Sequence, residues 1–251
     1  MNMMKRYKTP INRTYHGVVL KIKKSDLYQH ITVYTKEEGL LHIVNRRGKK
    51  ILGNHTILPL GSLIFNILKE EQILFLSEFE CTNTKATLNL SLDYFIYSQI
   101  FIEMILSLIP PGVTDHQIYQ LLCTYTQTLL KKDPRIVTII AGWQLIGYAG
   151  YYPDVNYMQI GILGKKKNRI LYYLGDNLPI NVLPHKLMPS VRTLWKTLLQ
   201  YNWNTTAVLQ INKTDIVILE NLLYSYIEQC SEKELKSINA RYELGLSLIH
   251  I

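Results

Sequence analysis

The pattern of apolar and polar residues changes once along the chain, from a period of two to a period of 3.6. In the first part, β-branched and aromatic residues alternate with polar ones, and glycine or acidic residues separate the runs. Such runs are typical of half-buried strands joined by tight turns. They predict three successive strands, at residues 15–24, 31–35 and 40–44.

Two further alternating segments complete a predicted barrel. They span residues 62–68 and 73–80, and the polar sequence Lys69-Glu70-Glu71 separates them. Five strands within about 70 residues match an OB-type barrel, whose strand face and loops commonly bind single-stranded nucleic acid. An SH3-like barrel would produce nearly the same pattern, so the strand count leaves both topologies open.

The helical period begins near Ser91, which is suited to cap a helix that Pro110-Pro111-Gly112 would end. Thr114 and Gln117 have the spacing of a capping box, and Asp133-Pro134 is typical of the start of a third helix. This third helix is apolar on nearly every side, which predicts that it lies at the centre of a helical bundle. The predicted helices span residues 91–109, 114–129, 133–150, 191–201 and 214–230.

The predicted fold class is α+β. A five-stranded OB-type β-barrel occupies residues 1–82, and a mainly α-helical domain follows in residues 83–251. An irregular insertion at about residues 153–188 interrupts the helices and contains a predicted hairpin, with strands at 158–162 and 169–174.

Charge is distributed very unevenly along the sequence. Residues 1–50 hold 12 basic and 3 acidic side chains, whereas residues 51–251 hold 16 of each. The whole net charge of +9 therefore lies in the first fifth of the chain. A positive field concentrated on one small barrel indicates a polyanionic partner for that barrel.

Cysteine usage and hydropathy indicate a protein of the reducing cytoplasm. Cys81, Cys123 and Cys230 are far apart and form no C-x-x-C arrangement, so neither a disulfide framework nor a zinc site is predicted. The most apolar run, residues 136–152, is at the short limit for a membrane span and contains Gln144. A buried helix is the better interpretation of this run. No secretory signal is recognised near the first residues.

No catalytic constellation is evident. Gly164-Lys165 resembles the end of a phosphate-binding loop, but Gln159 stands where that motif requires glycine. Glu78 and Glu80 share a strand face, which favours a solvated edge over a metal pair. The seven histidines have no nucleophile near them in sequence. We therefore predict no catalytic site, no metal and no cofactor from these residues.

The basic residues of the barrel are the best candidate binding site. Lys21 and Lys23 are predicted on one face of the first strand, and Tyr28, Tyr34 and His42 are nearby rings suited to stack on bases. A solvated surface with core tyrosines is the alternative. The predicted nucleic-acid-binding set is Lys21, Lys23, Lys24, Arg46, Arg47, Lys49 and Lys50, with residues 46–50 predicted as a flexible loop.

Several short motifs occur in a fixed order along the chain. They are GVVLK at residues 17–21, SD at 25–26, ITVYTKEEGL at 31–40, LPL at 58–60, LSEFE at 76–80, FIEMI at 101–105 and LIGYAGYYPD at 145–154. In this order and spacing, over most of the chain, they resemble the bacterial RecO family of DNA repair proteins.

The resemblance implies a non-enzymatic recombination mediator in the cytoplasm, associated with the nucleoid. It implies binding of single- and double-stranded DNA and annealing of complementary strands. The implied partners are RecR, the C-terminal tail of the single-stranded-DNA-binding protein and, indirectly, RecF and RecA, which is helped onto coated DNA. An RNA-binding or ribosome-associated OB module and an unrecognised nuclease are the rival interpretations.

Two details bear on the partners that the resemblance implies. Many members of the family carry a four-cysteine zinc module after the Pro-Asp stretch, but residues 155–186 contain no cysteine, so the chain is similar to the zinc-free members. For the acidic, hydrophobic tail of the single-stranded-DNA-binding protein, the candidate site is the basic cluster Lys131, Lys132 and Arg135 at the start of the most apolar helix.

Overall fold

The computed structural model describes residues 9–46, 56–82, 90–166, 169–205, 209 and 211–243. These residues form two compact units. The first draws its described residues from Met1–Leu90 and Pro110–Leu130, and the second from Ser91–Ile109 and Lys131–Ile251. The domain division predicted after residue 82 stays a prediction. No helix among the described residues is long and apolar enough to cross a membrane.

The first unit contains a closed five-stranded barrel, as predicted. Its strands are β1 (Thr9–Lys24), β2 (Tyr28–Thr35), β3 (Gly39–Arg46), β4 (Ser62–Glu70) and β5 (Ile73–Thr82). The strand order is β1-β2-β3-β5-β4, with β4 returning to β1, and only the β3–β5 pairing is parallel within the described barrel. A continued meander would instead pair β3 with β4. The observed order is that of an OB-type Greek-key barrel.

The alternation predicted from the sequence fills the barrel with side chains. The rings of Tyr15 and Phe65 stack at its centre, with centroids 5.4 Å apart. The other buried members of this core are Val19, Ile31, Val33, Ile43, Ile57, Leu63, Ile67 and Cys81.

One helix belongs to the barrel unit, α2 (His116–Leu129). Its N-cap is Asp115, whose carboxylate accepts hydrogen bonds from the backbone N–H groups of Gln117 and Ile118 at 2.7 and 3.0 Å. The predicted capping box beginning at Thr114 is therefore wrong by one residue. The Asp115 carboxylate reaches two of the first free N–H groups of the helix and satisfies both.

The second unit is mainly helical. Its helices are α1 (Leu92–Leu108), α3 (Pro134–Tyr148), α4 (Pro189–Leu199), α5 (Lys213–Ser231) and α6 (Lys236–Glu243). As predicted, α3 is central, because it packs against α1, α4 and α5 and most of its residues are buried. The predicted caps Ser91 and Asp133 both accept a backbone hydrogen bond at the start of their helices. Helix α6 was not predicted.

The predicted hairpin is also present in the second unit. It consists of β6 (Gln159–Lys166) and β7 (Arg169–Gly175), and a two-residue strand, β8 (Leu183–Pro184), extends the sheet in the order β7-β6-β8. Helix α5 anchors β7, because the Gln229 side-chain amide donates to Leu174 O at 2.6 Å and its oxygen accepts from Leu174 N at 3.2 Å. The amide thus pairs with β7 as a neighbouring strand would.

Candidate nucleic-acid interface

The outer face of β1, β2 and β3 follows from the register of their pairing. Ile22 pairs with Ile31, which pairs with Ile43, and this row packs on the barrel core. Because side chains alternate along a strand, the rows on either side of it face outward. These rows hold Lys21, Thr32 and His42 on one side, and Lys23, His30 and Val44 on the other. We call these six residues, with Tyr28 and Arg46, the strand face.

A β-bulge gives the lysines this orientation. Val19 pairs with Val33 and Lys21 pairs with Thr32, so Leu20 is an extra residue in β1. Val19 is fully buried in the core. Without the bulge, strict alternation would direct Lys21 inward as well. The bulge shifts the phase by one residue and places both Lys21 and Lys23, which are exposed, on the outer face.

The strand face ends where the segment before α2 covers it. Tyr34 is completely buried, and its hydroxyl accepts a hydrogen bond from Asp115 N at 3.1 Å. Burial raises the pKa of this hydroxyl. Gly39, at φ +66°, allows the close approach, because a Cβ there would lie 2.0 Å from Val113 O. The prediction that the Tyr34 ring stacks on bases is therefore wrong, whereas Tyr28 is half-buried and His42 is exposed.

Arg46 is the last residue of β3 and is held by two contacts. Its guanidinium lies 4.6 Å from the centroid of the Phe75 ring, and Nη2 lies 3.4 Å from Glu70 Oε2. The side chain remains 45% exposed, so it can meet a phosphate at the edge of the strand face. The prediction that Arg46 belongs to a flexible loop is therefore wrong, because Arg46 is part of strand β3. Arg47, Lys49 and Lys50 lie outside the described residues.

Lys24 lies at the barrel end beside the strand face. It pairs with Gln29 and is exposed. The tight turn that follows it is closed by Ser25, whose backbone N–H donates to Tyr28 O at 2.8 Å. Lys24 therefore adds a positive charge at the β1–β2 turn.

Four carboxylates of the barrel lie on β5 or at the β2–β3 turn, whereas Glu70 of β4 pairs with Arg46 at the edge of the strand face. Glu78 and Glu80 are exposed on β5, opposite Asn66 and Ile64 of β4. At the β2–β3 turn, Glu37 and Glu38 are engaged by neighbours on β1, with Glu38 Oε1 accepting from the Tyr15 hydroxyl at 2.8 Å. No group of three or more residues suited to hold a metal occurs in the described part of the chain. Lys21 and Lys23 thus lie on β1, which in the described barrel does not pair with β5, the strand that carries Glu78 and Glu80.

At the second predicted site, the start of α3, the structure brings together only some of the predicted residues. Lys131 and Lys132 are exposed. Lys132 Nζ lies 3.4 Å from the Tyr201 hydroxyl, and the Trp203 ring packs edge-on against Tyr201 with centroids 5.3 Å apart. The Gln144 side chain holds Tyr201 and Trp203 in place. Its amide oxygen accepts a hydrogen bond from Trp203 Nε1 and its amide nitrogen donates one to Tyr201 O, both at 2.7 Å.

Arg135 does not belong to this surface, which corrects the prediction. Its side chain is 9% exposed, and it donates from Nε and Nη2 to Glu220 Oε2 at 3.1 and 2.7 Å. Arg135 lies in the first turn of α3, and its partner Glu220 is itself buried in α5. Burial alone would raise the pKa of Glu220, but the charges of Arg241 and Arg135 outweigh it and lower that pKa.

Comparison with known proteins agrees with this architecture. The family model described as Recombination protein O C terminal matches residues 90–238, which is more than half of the chain. No curated protein matches the chain. The matched segment contains all of α1 to α5 and the three-stranded sheet, and it follows the OB-type barrel. The chain therefore belongs to the RecO family of recombination proteins, which act in DNA recombination and repair.

Proposed function

We propose that the strand face of the barrel is the DNA-binding site of this protein. The observation that supports this is its polarity: Lys21, Lys23 and Arg46 lie on the outer face of β1–β3, whereas Glu78 and Glu80 lie on β5. In OB-type barrels the strand face is a common site for oligonucleotides. Tyr28, His30 and His42 add rings at the same surface, which suits stacking on bases.

The chemistry of this surface is that of a binding protein. Lysine and arginine side chains neutralise phosphates without selecting a base sequence, and they release the counterions bound to DNA. When phosphates of two complementary strands are neutralised at one surface, the repulsion between the strands falls. We infer that the protein anneals complementary strands, with single- and double-stranded DNA both bound, and that no bond of the DNA is broken.

Membership in the RecO family indicates that this activity is used in DNA recombination and repair. We infer that the protein acts with RecR to help RecA replace the single-stranded-DNA-binding protein on DNA, and that RecF contributes indirectly. Annealing and mediation both require that the protein reach DNA that is already coated. A contact with the coating protein itself would provide that access.

For that contact we propose the corner formed by Lys131, Lys132, Tyr201 and Trp203. Two exposed lysines beside two half-buried aromatic rings match an acidic peptide with hydrophobic side chains. The candidate ligand is the C-terminal tail of the single-stranded-DNA-binding protein. Arg135 is excluded from the proposed contact because it is buried against Glu220.

A strand-annealing assay tests the proposal as a whole. Complementary oligonucleotides, one carrying a fluorophore and the other a quencher, are mixed with the protein before and after coating with the cognate single-stranded-DNA-binding protein. We expect faster annealing in both cases, without metal or nucleotide. Acceleration confined to RNA strands would favour an RNA-binding function, and shortened strands would indicate a nuclease.

A further inference from the structure

The sheet of the second unit carries a group of exposed apolar side chains. We call Ile162, Leu163, Ile180 and Leu183 the sheet patch. Ile162 pairs directly with Leu183 across β6 and β8, so these two side chains lie side by side on one face. The exposed fractions are 39% for Ile162, 56% for Leu163, 78% for Leu183 and 108% for Ile180. Leu163 and Ile180 lie within three residues of this pair in the chain. Contiguous exposed apolar side chains mark interaction surfaces.

A second β-bulge shapes the sheet patch. Ile162 pairs with Tyr172 and Gly164 pairs with Leu171, so Leu163 is the extra residue of β6. Ile162 and the bulge residue Leu163 are exposed in succession. Gly164 has a φ of +157°, in a region that residues with side chains rarely adopt. The bulge thus adds Leu163 to the exposed apolar residues of β6.

Lysines flank the sheet patch at both ends. Lys165 follows the bulge in β6 and is exposed. At the other end, His185 N donates to Ile160 O at 2.7 Å, and the exposed Lys186 comes next in the chain. Among the described residues neither Lys165 nor Lys186 forms an ion pair, whereas the neighbouring Lys166 pairs with Glu234. The two lysine charges are therefore available to a partner.

We propose that the sheet patch docks an acidic segment of a partner protein that carries aliphatic or aromatic side chains. The apolar side chains of such a segment would cover the patch, and its carboxylates would meet Lys165 and Lys186. A second copy of this chain is a poorer fit, because a symmetric contact through the patch would bring the lysines of both copies together. Nucleic acid is a poorer fit as well, because aliphatic side chains offer its bases no stacking surface.

The test compares the full-length protein with two doubly substituted variants. Leu163→Glu with Leu183→Glu introduces negative charge into the patch. Leu92→Glu with Phe95→Glu introduces the same charge at exposed apolar positions on α1 and serves as the matched control. Circular dichroism and melting curves establish that both variants are folded, which we expect because all four side chains are largely exposed. A phage-displayed random-peptide library is then selected on the protein carrying Lys131→Glu with Lys132→Glu, so that peptides binding the corner proposed above are not recovered.

We expect the selected peptides to be rich in Asp and Glu alternating with Leu, Ile or Phe. Their affinity should fall by at least about tenfold for the patch variant and stay unchanged for the α1 variant. Basic peptides, or binders that the patch substitutions do not affect, would overturn the proposal. Sedimentation velocity and flotation with phosphatidylglycerol vesicles add two further refuting outcomes. A dimer that only the patch substitutions dissociate would assign the surface to a second copy, and vesicle binding lost in the same way would assign it to a lipid surface.

Discussion

Arg135, at the start of α3, and Glu220, in the middle of α5, form a buried ion pair in which one carboxylate oxygen accepts two hydrogen bonds, at 3.1 and 2.7 Å. The other oxygen of Glu220 accepts from Arg241 of α6 at 2.6 Å and from the Tyr224 hydroxyl at 2.8 Å. One carboxylate therefore joins three helices. The Arg241 guanidinium also lies 4.9 Å from the centroid of the Tyr97 ring in α1.

The first prediction concerns the stability that depends on this carboxylate. Glu220→Gln keeps the shape of the side chain but leaves two buried arginines without a negative partner. Loss of one partner from a buried ion pair typically costs about 3–5 kcal/mol, so we expect the free energy of unfolding to fall by that amount. Urea denaturation monitored by circular dichroism measures it. Glu80→Gln, the same change at an exposed residue, should leave the urea unfolding curve unchanged.

The same group predicts how stability depends on pH. The pKa of Glu220 in the folded protein is lowered from its ordinary value of 4.5. Its contribution is therefore complete above pH 4.5 and is lost as the pH falls below that value through the folded-state pKa. We expect the unsubstituted protein to lose stability in this acid range more steeply than Glu220→Gln. Parallel slopes for the two proteins would show that other carboxylates dominate acid unfolding.

Local features of the second unit could be predicted from the sequence, and long-range ones could not. The start of α1 at Ser91 and of α3 at Asp133 depends on neighbouring residues alone, and both were predicted. Arg135 looked like a surface charge because its partner Glu220 is 85 residues away in the chain. Helix α6 was missed for a similar reason. Its first N–H groups are capped by the carboxylate of Glu103 in α1, at 2.8 Å, and not by a residue of its own.

At the candidate site of the barrel, too, some features could not be predicted from the local sequence. Alternation places Lys21 and Lys23 on a common face, but the bulge at Leu20 that turns this face outward has no turn residue to signal it. Tyr34 follows the same alternation outward and yet is buried, because the segment before α2 covers it. His30 is not among the rings predicted to stack on bases, although its position next to the core residue Ile31 indicates that it faces outward.

A second prediction concerns the three cysteine thiols. Burial raises the pKa of Cys81 and Cys123, and it raises the pKa of Cys230 to about 11 even though a hydrogen bond with Tyr226 lowers it. Because the thiolate is the reactive form, we expect iodoacetamide to alkylate the folded protein very slowly at pH 8. Mass spectrometry of the intact protein counts the modified thiols. Urea-unfolded protein should react at all three cysteines, and equally fast reaction of the folded protein would contradict the prediction.

A third prediction tests the corner formed by Lys131, Lys132, Tyr201 and Trp203. Lys131→Glu with Lys132→Glu should weaken binding of a labelled tail peptide of the single-stranded-DNA-binding protein by about tenfold or more, because carboxylates would then face carboxylates. Isothermal titration calorimetry measures the affinity. In the control, Lys213→Glu with Lys233→Glu reverses two exposed charges elsewhere in the second unit and should leave it unchanged. If the two double variants bind equally well, the tail binds at another surface.

The salt dependence of DNA binding provides a fourth prediction. Six cations of the first 50 residues are predicted to neutralise one phosphate each: Lys21, Lys23, Arg46, Arg47, Lys49 and Lys50. For single-stranded DNA, each contact contributes about −0.7 to the slope of log affinity against log salt concentration, so we expect a slope of about −4. Fluorescence anisotropy titrations at a series of salt concentrations give the slope. A slope near zero would show that the binding is not electrostatic.

The last prediction tests the two of those contacts that Lys21 and Lys23 make on the strand face. Lys21→Ala with Lys23→Ala should reduce the magnitude of the slope by about 1.4 and weaken binding to all sequences alike, because phosphate contacts carry no base information. Lys36→Ala with Lys69→Ala removes two exposed cations of the same barrel that lie outside the strand face, and it should leave the slope nearly unchanged. Both variants should have nearly the same Tm as the unsubstituted protein, because substitutions at exposed residues usually change stability by less than about 0.5 kcal/mol. If the Lys21→Ala, Lys23→Ala variant is folded and its slope is unaltered, the DNA binds elsewhere on the protein. If the magnitude of the slope falls equally in both variants, a diffuse positive field binds the DNA and not a defined site.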